Sequence, residues 1–278
     1  MAELNDPNEK ELDLQLGLVE AVRSLKQRVS HLETLEGGIL SYPLYSALPQ
    51  LRAAWLFSSV DENGDLFDTS EQDRTLTNVA AAPFLVSNFA PYATLDGAAQ
   101  HFTRGDEAGL RVTGALTLIS LVNFDAAFSA FDPIAGKWQA AGSNNRSYLL
   151  QRKGADGLLR AQISTDGTAV VFVDSTTVVV PSNWAYCVLR FDPSAELSVF
   201  LGLQGGDNGT LEKVVNTTGI PASIFNSNAD FTIGAINAAT VASNFIDASV
   251  SLTFLCAAVV SDAMLNQHYA QVRQLFNI

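Results

Sequence analysis

Residues 147–167 read SYLLQRKGADGLLRAQISTDG. Two strand-like runs flank Asp156-Gly157, and the second, LLRAQIS, is followed by Asp166-Gly167 ten residues after the first pair. An Asp-Gly pair supplies the positive-φ glycine that a tight turn between antiparallel strands requires. Two of them at this spacing mark a meander of hairpins, and the same punctuation continues in both directions. Beyond residue 50, short apolar runs follow one another: AAWLF, ALTLISLVNF, AVVFVD, TVVV, AYCVLRFD, LSVFLGLQ, DFTIGAI and ASVSLTFLCAAVV. Gly, Asn, Asp, Ser and Pro separate them. Short strands with frequent turns predict a mainly β chain folded as a sandwich or jelly roll. TVVV and LTFLCAAVV are apolar on both sides of the alternation, which predicts strands buried on both faces or lying under the helix or a neighbouring subunit. Only SDAMLNQHYAQVRQLF at the C terminus has a helical period after residue 50. It places Met264, Leu265, Tyr269, Val272 and Phe276 on one face behind Ser261 as N-cap.

The N-terminal segment has a different period. Leu18, Val22, Leu25, Val29 and Leu32 alternate by four and three, the seam of a coiled coil, with Glu20, Arg23, Lys26, Gln27, Arg28 and Glu33 on the flanks. Gly37-Gly38 ends the helix. The alternative is an amphipathic helix packed on its own domain; as a coiled coil, Val and Leu in the seam admit a dimer or a trimer. Residues 37–50, GGILSYPLYSALPQ, carry two prolines and five large apolar side chains, which suits a linker or an extended arm on a neighbour. The organisation expected is therefore an oligomerisation segment over 1–36, the arm over 37–50 and a β-sandwich over 51–278.

Composition narrows the function. With 29 acidic against 16 basic residues the formal charge is -13, which disfavours nucleic acid and anionic membrane surfaces. The N terminus, MAELNDPNEKELD, is acidic where a secretory signal would be basic and then apolar, so synthesis in a cytosol is expected. Cys187 and Cys256 fall in strand-like runs and are expected as buried free thiols, with a disulfide as the alternative.

Candidate chemistry is sparse. His31, His101 and His268 are too scattered to form a triad or zinc set with either cysteine. DENGDLFDTS offers oxygen ligands at Asp61, Asn63 and Asp65, with Asp68 beyond, like the first half of a calcium loop, but the twelfth position is Gln72. AGKWQAAGSNNRSY holds the strongest candidate for sugar stacking. There Trp138 stands beside Asn144 and Asn145 in a Gly- and Asn-rich stretch, either as a platform or as an indole folded over the sandwich rim or docked at a subunit contact.

The order of AAWLF with GDLFDTS, LDGAAQHF (95–102), GALTLISLVNF, SYLLQRKGADGLLRAQIS, NWAYCVLRFD, LSVFLG, DFTIGAI and VVSDAMLNQHYAQV is similar to the concanavalin A-like lectin/glucanase fold in its laminin G-like form. The resemblance spans residues 51 to 278. On that frame Asp96-Gly97 makes a tight turn, Phe102 points inward, and Trp55, Trp184 and Phe231 fill the sandwich. Glucanases of this fold carry paired carboxylates on one strand. No E-x-D-x-E-like strand occurs, so no enzyme is expected. The resemblance implies at most a bound calcium ion as cofactor. Heptads, arm and sandwich together resemble a phage virion decoration or fibre protein: a homotrimer on the virion surface, bound to the capsid or another virion protein through its N-terminal region. The alternative is a carbohydrate-binding adhesin or receptor-binding module that contacts a cell-surface glycan.

Overall fold

Strand pairing follows the alternation of the sequence closely enough that each outward residue can be assigned a face. The computed structural model describes residues 47–276 apart from 71, 87–90, 126–130, 142–143, 155, 207–208 and 239–240. The seam residues Leu18, Val22, Leu25, Val29 and Leu32 lie outside the described residues. The strands are β1 (Leu51–Val60), β2 (Leu66–Asp68), β3 (Thr77–Val79), β4 (Phe84–Val86), β5 (Pro91–Asp96) and β6 (His101–Arg104). Then follow β7 (Leu116–Phe124), β8 (Phe131–Ala141), β9 (Asn145–Lys153), β10 (Leu158–Ser164), β11 (Val170–Val178) and β12 (Trp184–Asp192). The last are β13 (Glu196–Leu203), β14 (Glu212–Asn216), β15 (Phe231–Ile233), β16 (Ile236–Ala238), β17 (Val241–Ser243) and β18 (Asp247–Cys256), before helix α1 (Asp262–Phe276).

Two sheets result. The first runs β14-β13-β12-β7-β18-β1-β2, with β5 on β18 and β4 on β5. The second runs β11-β10-β9-β8-β15-β6-β3, with the β16–β17 hairpin added beside β8. Residues 147–153 and 158–164 fall in β9 and β10, which pair antiparallel from Leu158↔Lys153 to Ile163↔Tyr148. Gly157 and Gly167 take φ of +64° and +88°, as the Asp-Gly turns require. The chain is thus a mainly β, two-sheet sandwich with a C-terminal helix.

Inward residues of both sheets form one core. Trp55 of β1 stacks on Phe231 of β15, centroids 4.8 Å apart, and Phe57 meets Phe102 of β6 edge-on at 5.2 Å. All four are buried. The Trp55 Nε1–H donates to the Arg74 carbonyl at 2.7 Å, so burying the indole leaves no polar atom unpaired. One ion pair lies in this interior: Arg152 and Asp132 are buried at 2.7 Å, with the guanidinium 4.0 Å over the Phe124 ring. Cys187 and Cys256 are buried free thiols, as expected.

TVVV is not buried on both faces within one chain, which leaves the neighbouring-subunit reading of that strand. Val179 is buried, whereas Val178 and Val180 are exposed, because β11 is the edge of its sheet and the segment has a covered side only inward. LTFLCAAVV behaves as read for its strand portion: β18 is central, and Leu252 through Cys256 are buried on both faces.

The second face of β18 is covered by α1. Ser261 caps the helix through its Oγ, which accepts the Met264 N–H at 3.3 Å. Leu265, His268, Tyr269 and Val272 turn to the sheet. His268 Nδ1 and the Tyr186 hydroxyl are hydrogen-bonded at 2.6 Å, and the imidazole lies edge-on to Phe254. Asp262 in the first turn pairs with Arg190 and, at 3.0 Å, with Lys213. At Gly202 the Tyr269 ring approaches so closely that a Cβ would lie 2.4 Å from it, so this position of β13 requires glycine.

The edges β14 and β11 meet along one side. Glu212 of β14 accepts the Thr176 and Thr177 amides of β11 and the Thr176 hydroxyl, and Asn216 donates to the Phe172 carbonyl. Side chains close the seam where no backbone ladder is formed.

Candidate functional site

The sequence-derived candidates lie apart from one another. Trp138 is 5% exposed and packs with Leu149 and Ile236 on the outer face of the second sheet, with the Arg146 guanidinium 5.8 Å from its ring centre. That placement matches an indole folded over the sheet, and it presents no open stacking face. Asn145 is buried and donates to Gln139 Oε1 at 3.1 Å and to Asn228, whose backbone N–H it accepts at 3.1 Å. Asn144 beside it is exposed. In the loop after β1, Asp61 Oδ1 accepts the backbone N–H groups of Asn63 and Asp65, both at 2.8 Å, and Asp65 Oδ1 accepts that of Asn78 at 2.8 Å. These carboxylates face backbone amides and shape the turn. Among the described residues no group of three or more His, Cys, Asp and Glu is arranged to hold a metal ion.

A different set converges on the outer face of the first sheet. Register places Trp184 of β12 opposite Asn123 of β7, Asn123 opposite Ser249 of β18, and Ser249 opposite Thr94 of β5. Their inward neighbours Ala185, Val122, Phe124, Ala248, Val250, Ala93 and Leu95 are in the core, so the row of four faces outward. Trp184, Asn123 and Thr94 are partly exposed. Tyr92, two residues before Thr94 on the same side of β5, meets Trp184 edge-on, centroids 5.8 Å apart at 78°. Leu85, its cross-strand partner on β4, is exposed beside it.

The polar groups of this row are only partly satisfied within the protein. Asn123 Oδ1 is shielded from solvent and accepts no hydrogen bond from the described residues, an arrangement that costs free energy until a donor arrives. Thr94 and Ser249 hydroxyls are 3.4 Å apart, and the Ser251 hydroxyl donates to the Pro91 carbonyl at 2.7 Å, holding the start of β5 against β18. Gln204 Oε1 accepts the Trp184 N–H at 3.1 Å and steadies the end of β12.

Carboxylates flank the row along one side, two residues further on three of its strands. Asp96 pairs with Asp247 in register, and the Asp125 N–H donates to the Asp247 carbonyl at 3.1 Å. Asp96 Oδ1 accepts the amides of Ala98, Ala99 and Gln100 at 2.9 to 3.0 Å, and these bonds, that of Ala99 first, hold its carboxyl below the usual range. Gly97 takes φ +67° in this turn, as expected for the Asp-Gly pair. The Asp125 carboxyl is held above the usual range, first by desolvation and then by the Asp247 charge. A stacking surface, an unfilled acceptor, hydroxyls and carboxylates thus occupy one sheet face.

Trp184 therefore departs from the expected core role: its row faces outward, and the core positions beside it belong to Ala185 and Cys187. None of Tyr92, Asn123, Asp125, Asp247 or Ser249 stands out in the sequence as a site residue. The available signal is period-two polarity inside apolar strands: Asn123 in LVNFD, and Asp247, Ser249 and Ser251 in DASVS.

No protein-family model matches the chain, and no curated protein matches it. Solved structures do. The binding domain of Paraclostridial Mosquitocidal Protein 1 aligns with a TM-score of 0.59 at 8% identity, over 79% of this chain and 52% of that one. The binding domain of botulinum neurotoxin DC in complex with SialylT aligns with a TM-score of 0.57 at 9% identity, over 83% and 52%. Domain 4 of AbnA, a GH43 extracellular arabinanase from Geobacillus stearothermophilus, in complex with arabinotriose, aligns with a TM-score of 0.53 at 15% identity, over 79% and 98%. The chain spans about half the length of the toxin binding domains it matches. At these identities the fold is what is shared, and it is a lectin-like β-sandwich.

Proposed function

We propose that this chain is a non-enzymatic carbohydrate-binding protein whose site is the outer face of the first sheet around Trp184. The observation that carries this reading is the Tyr92–Trp184 pair standing beside Asn123 Oδ1, an acceptor with no donor among the described residues. Aromatic faces stack on the C–H surfaces of sugar rings, while amide, hydroxyl and carboxylate oxygens accept from sugar hydroxyls. The structural neighbours include binding domains in complex with SialylT and with arabinotriose, which supports a glycan as the ligand class.

The test is a glycan array followed by titration of the tightest ligand, read by tryptophan fluorescence, since Trp55 and Trp138 are buried. Trp184→Ala and Tyr92→Ala are each expected to weaken binding at least tenfold. Unchanged affinity in both variants, or no glycan bound by the parent chain, would overturn the reading.

The heptads at Leu18, Val22, Leu25, Val29 and Leu32 favour display of several copies on one stem. In this reading the sandwich is the head of a trimeric decoration or fibre protein of a virus particle, attached through its N-terminal region. Multivalency then compensates for weak individual sugar contacts.

A further inference from the structure

We infer that the Trp184 face accepts neutral glycans and rejects sialylated or otherwise carboxylate-bearing ones. The inference rests on the carbohydrate reading of that face and adds its ligand class. The described residues of the first sheet that build it, 84–86, 91–96, 116–125, 184–189 and 247–256, contain no lysine or arginine. They supply Asp96, Asp125 and Asp247 along one side, so among the described residues an acidic sugar would meet carboxylates and no cation. Recognition of a carboxylate ordinarily uses a guanidinium, an ammonium or converging backbone N–H groups. Here the three convergent amides, those of Ala98, Ala99 and Gln100, already hold Asp96.

Four basic residues elsewhere in the sandwich are committed to partners. Arg190 pairs with Glu196 and Asp262 beneath the first turn of α1, and Lys213 with Asp262. Arg152 lies on the inner side of β7, paired with Asp132 and stacked on Phe124. Arg160 pairs with Asp174 on the other sheet. The upward displacement of the Asp125 carboxyl, caused in part by Asp247, shows the same negative field acting on the protein's own group. A neutral sugar fits what remains: its hydroxyls donate to Asn123 Oδ1 and the carboxylates, and its apolar ring face covers Trp184. Like charges at contact distance in a partly desolvated site repel strongly enough to set the preference.

The experiment pairs each neutral oligosaccharide on an array with its sialylated counterpart, using the full chain, and repeats the best pair by titration at low and high salt. The neutral member is expected to bind at least tenfold more tightly. The gap should narrow at high salt, and should narrow about threefold or more in the Asp125→Asn/Asp247→Asn double variant. Equal or tighter binding of the sialylated member would overturn the inference while leaving the carbohydrate reading intact. A gap that survives both the double variant and high salt would also overturn it, because charge would then not be the cause. If neither member of any pair binds, the carbohydrate reading fails, and this inference with it.

Discussion

Trp138 and Trp184 both project from outer faces of the sandwich, and their neighbours give them opposite duties. Trp138 is closed over by Leu149 and Ile236, so Trp138→Ala leaves a cavity and should cost about 3 to 5 kcal/mol in denaturant unfolding, with the change at the sugar site small. Trp184 is partly exposed and should lose little stability and most of its binding when truncated. The buried Arg152–Asp132 pair makes a second prediction at this scale. Asp132→Ala removes the carboxylate facing a buried guanidinium and should cost about 3 to 5 kcal/mol by the same measurement. In the sequence these roles are not separable: a Gly- and Asn-rich setting leaves Trp138 open between platform and folded-over indole, and the lectin-like frame places Trp184 in the core. Local composition reports loop character, whereas exposure of a large ring depends on which strand lies opposite. For Trp138 that is set by Leu149 and by Ile236, nearly a hundred residues away.

At the level of elements, α1 makes a pH-dependent attachment. Burial pushes His268 down from 6.5 to about 4, so the folded protein keeps the ring neutral while the unfolded chain takes a proton near 6.5. Protonation below 6.5 therefore favours the unfolded chain. Stability should fall as pH drops from 6.5 towards 4, by about 3 kcal/mol at the lower end from this residue. Melting temperatures measured across that range should show a shallower acid slope in His268→Gln than in the parent; equal slopes would assign the acid sensitivity to other groups. Gly202→Ala tests the same docking from the sheet side. Its Cβ would meet the Tyr269 ring and should cost about 1 to 3 kcal/mol. The helix, its Ser261 cap and the Leu265, Tyr269 and Val272 face are legible in the sequence because a 3.6-residue period needs only local information. The burial of His268 on that face follows from Tyr186 and Phe254, far off in the chain, and is not.

Across the whole molecule, the sandwich is legible from the hairpin punctuation, and its assembly into sites is not. Trp184, Asn123, Ser249 and Thr94 come from four strands spread between residues 91 and 256, and only the pairing of β5 with β18 rather than β1 places them in one row. Proposed trimer formation makes a prediction at this scale. Leu25→Glu/Val29→Glu in the full chain should reduce the mass seen by light scattering and lower retention on a glycan-coated surface at least tenfold, with affinity for soluble sugar unchanged. Strand β18 has a further role in such an assembly. It pairs with β5 over Asp247–Val250, next to the sugar face, and with β1 over Leu252–Cys256, where the sandwich begins. A sugar held at one end and a stem pulling at the other would therefore load one strand in series. Tension would pass from the β5 contact that carries Tyr92 and Thr94, along β18, into the β1–β18 ladder, so the weaker of the two pairings sets the force at which the grip is lost.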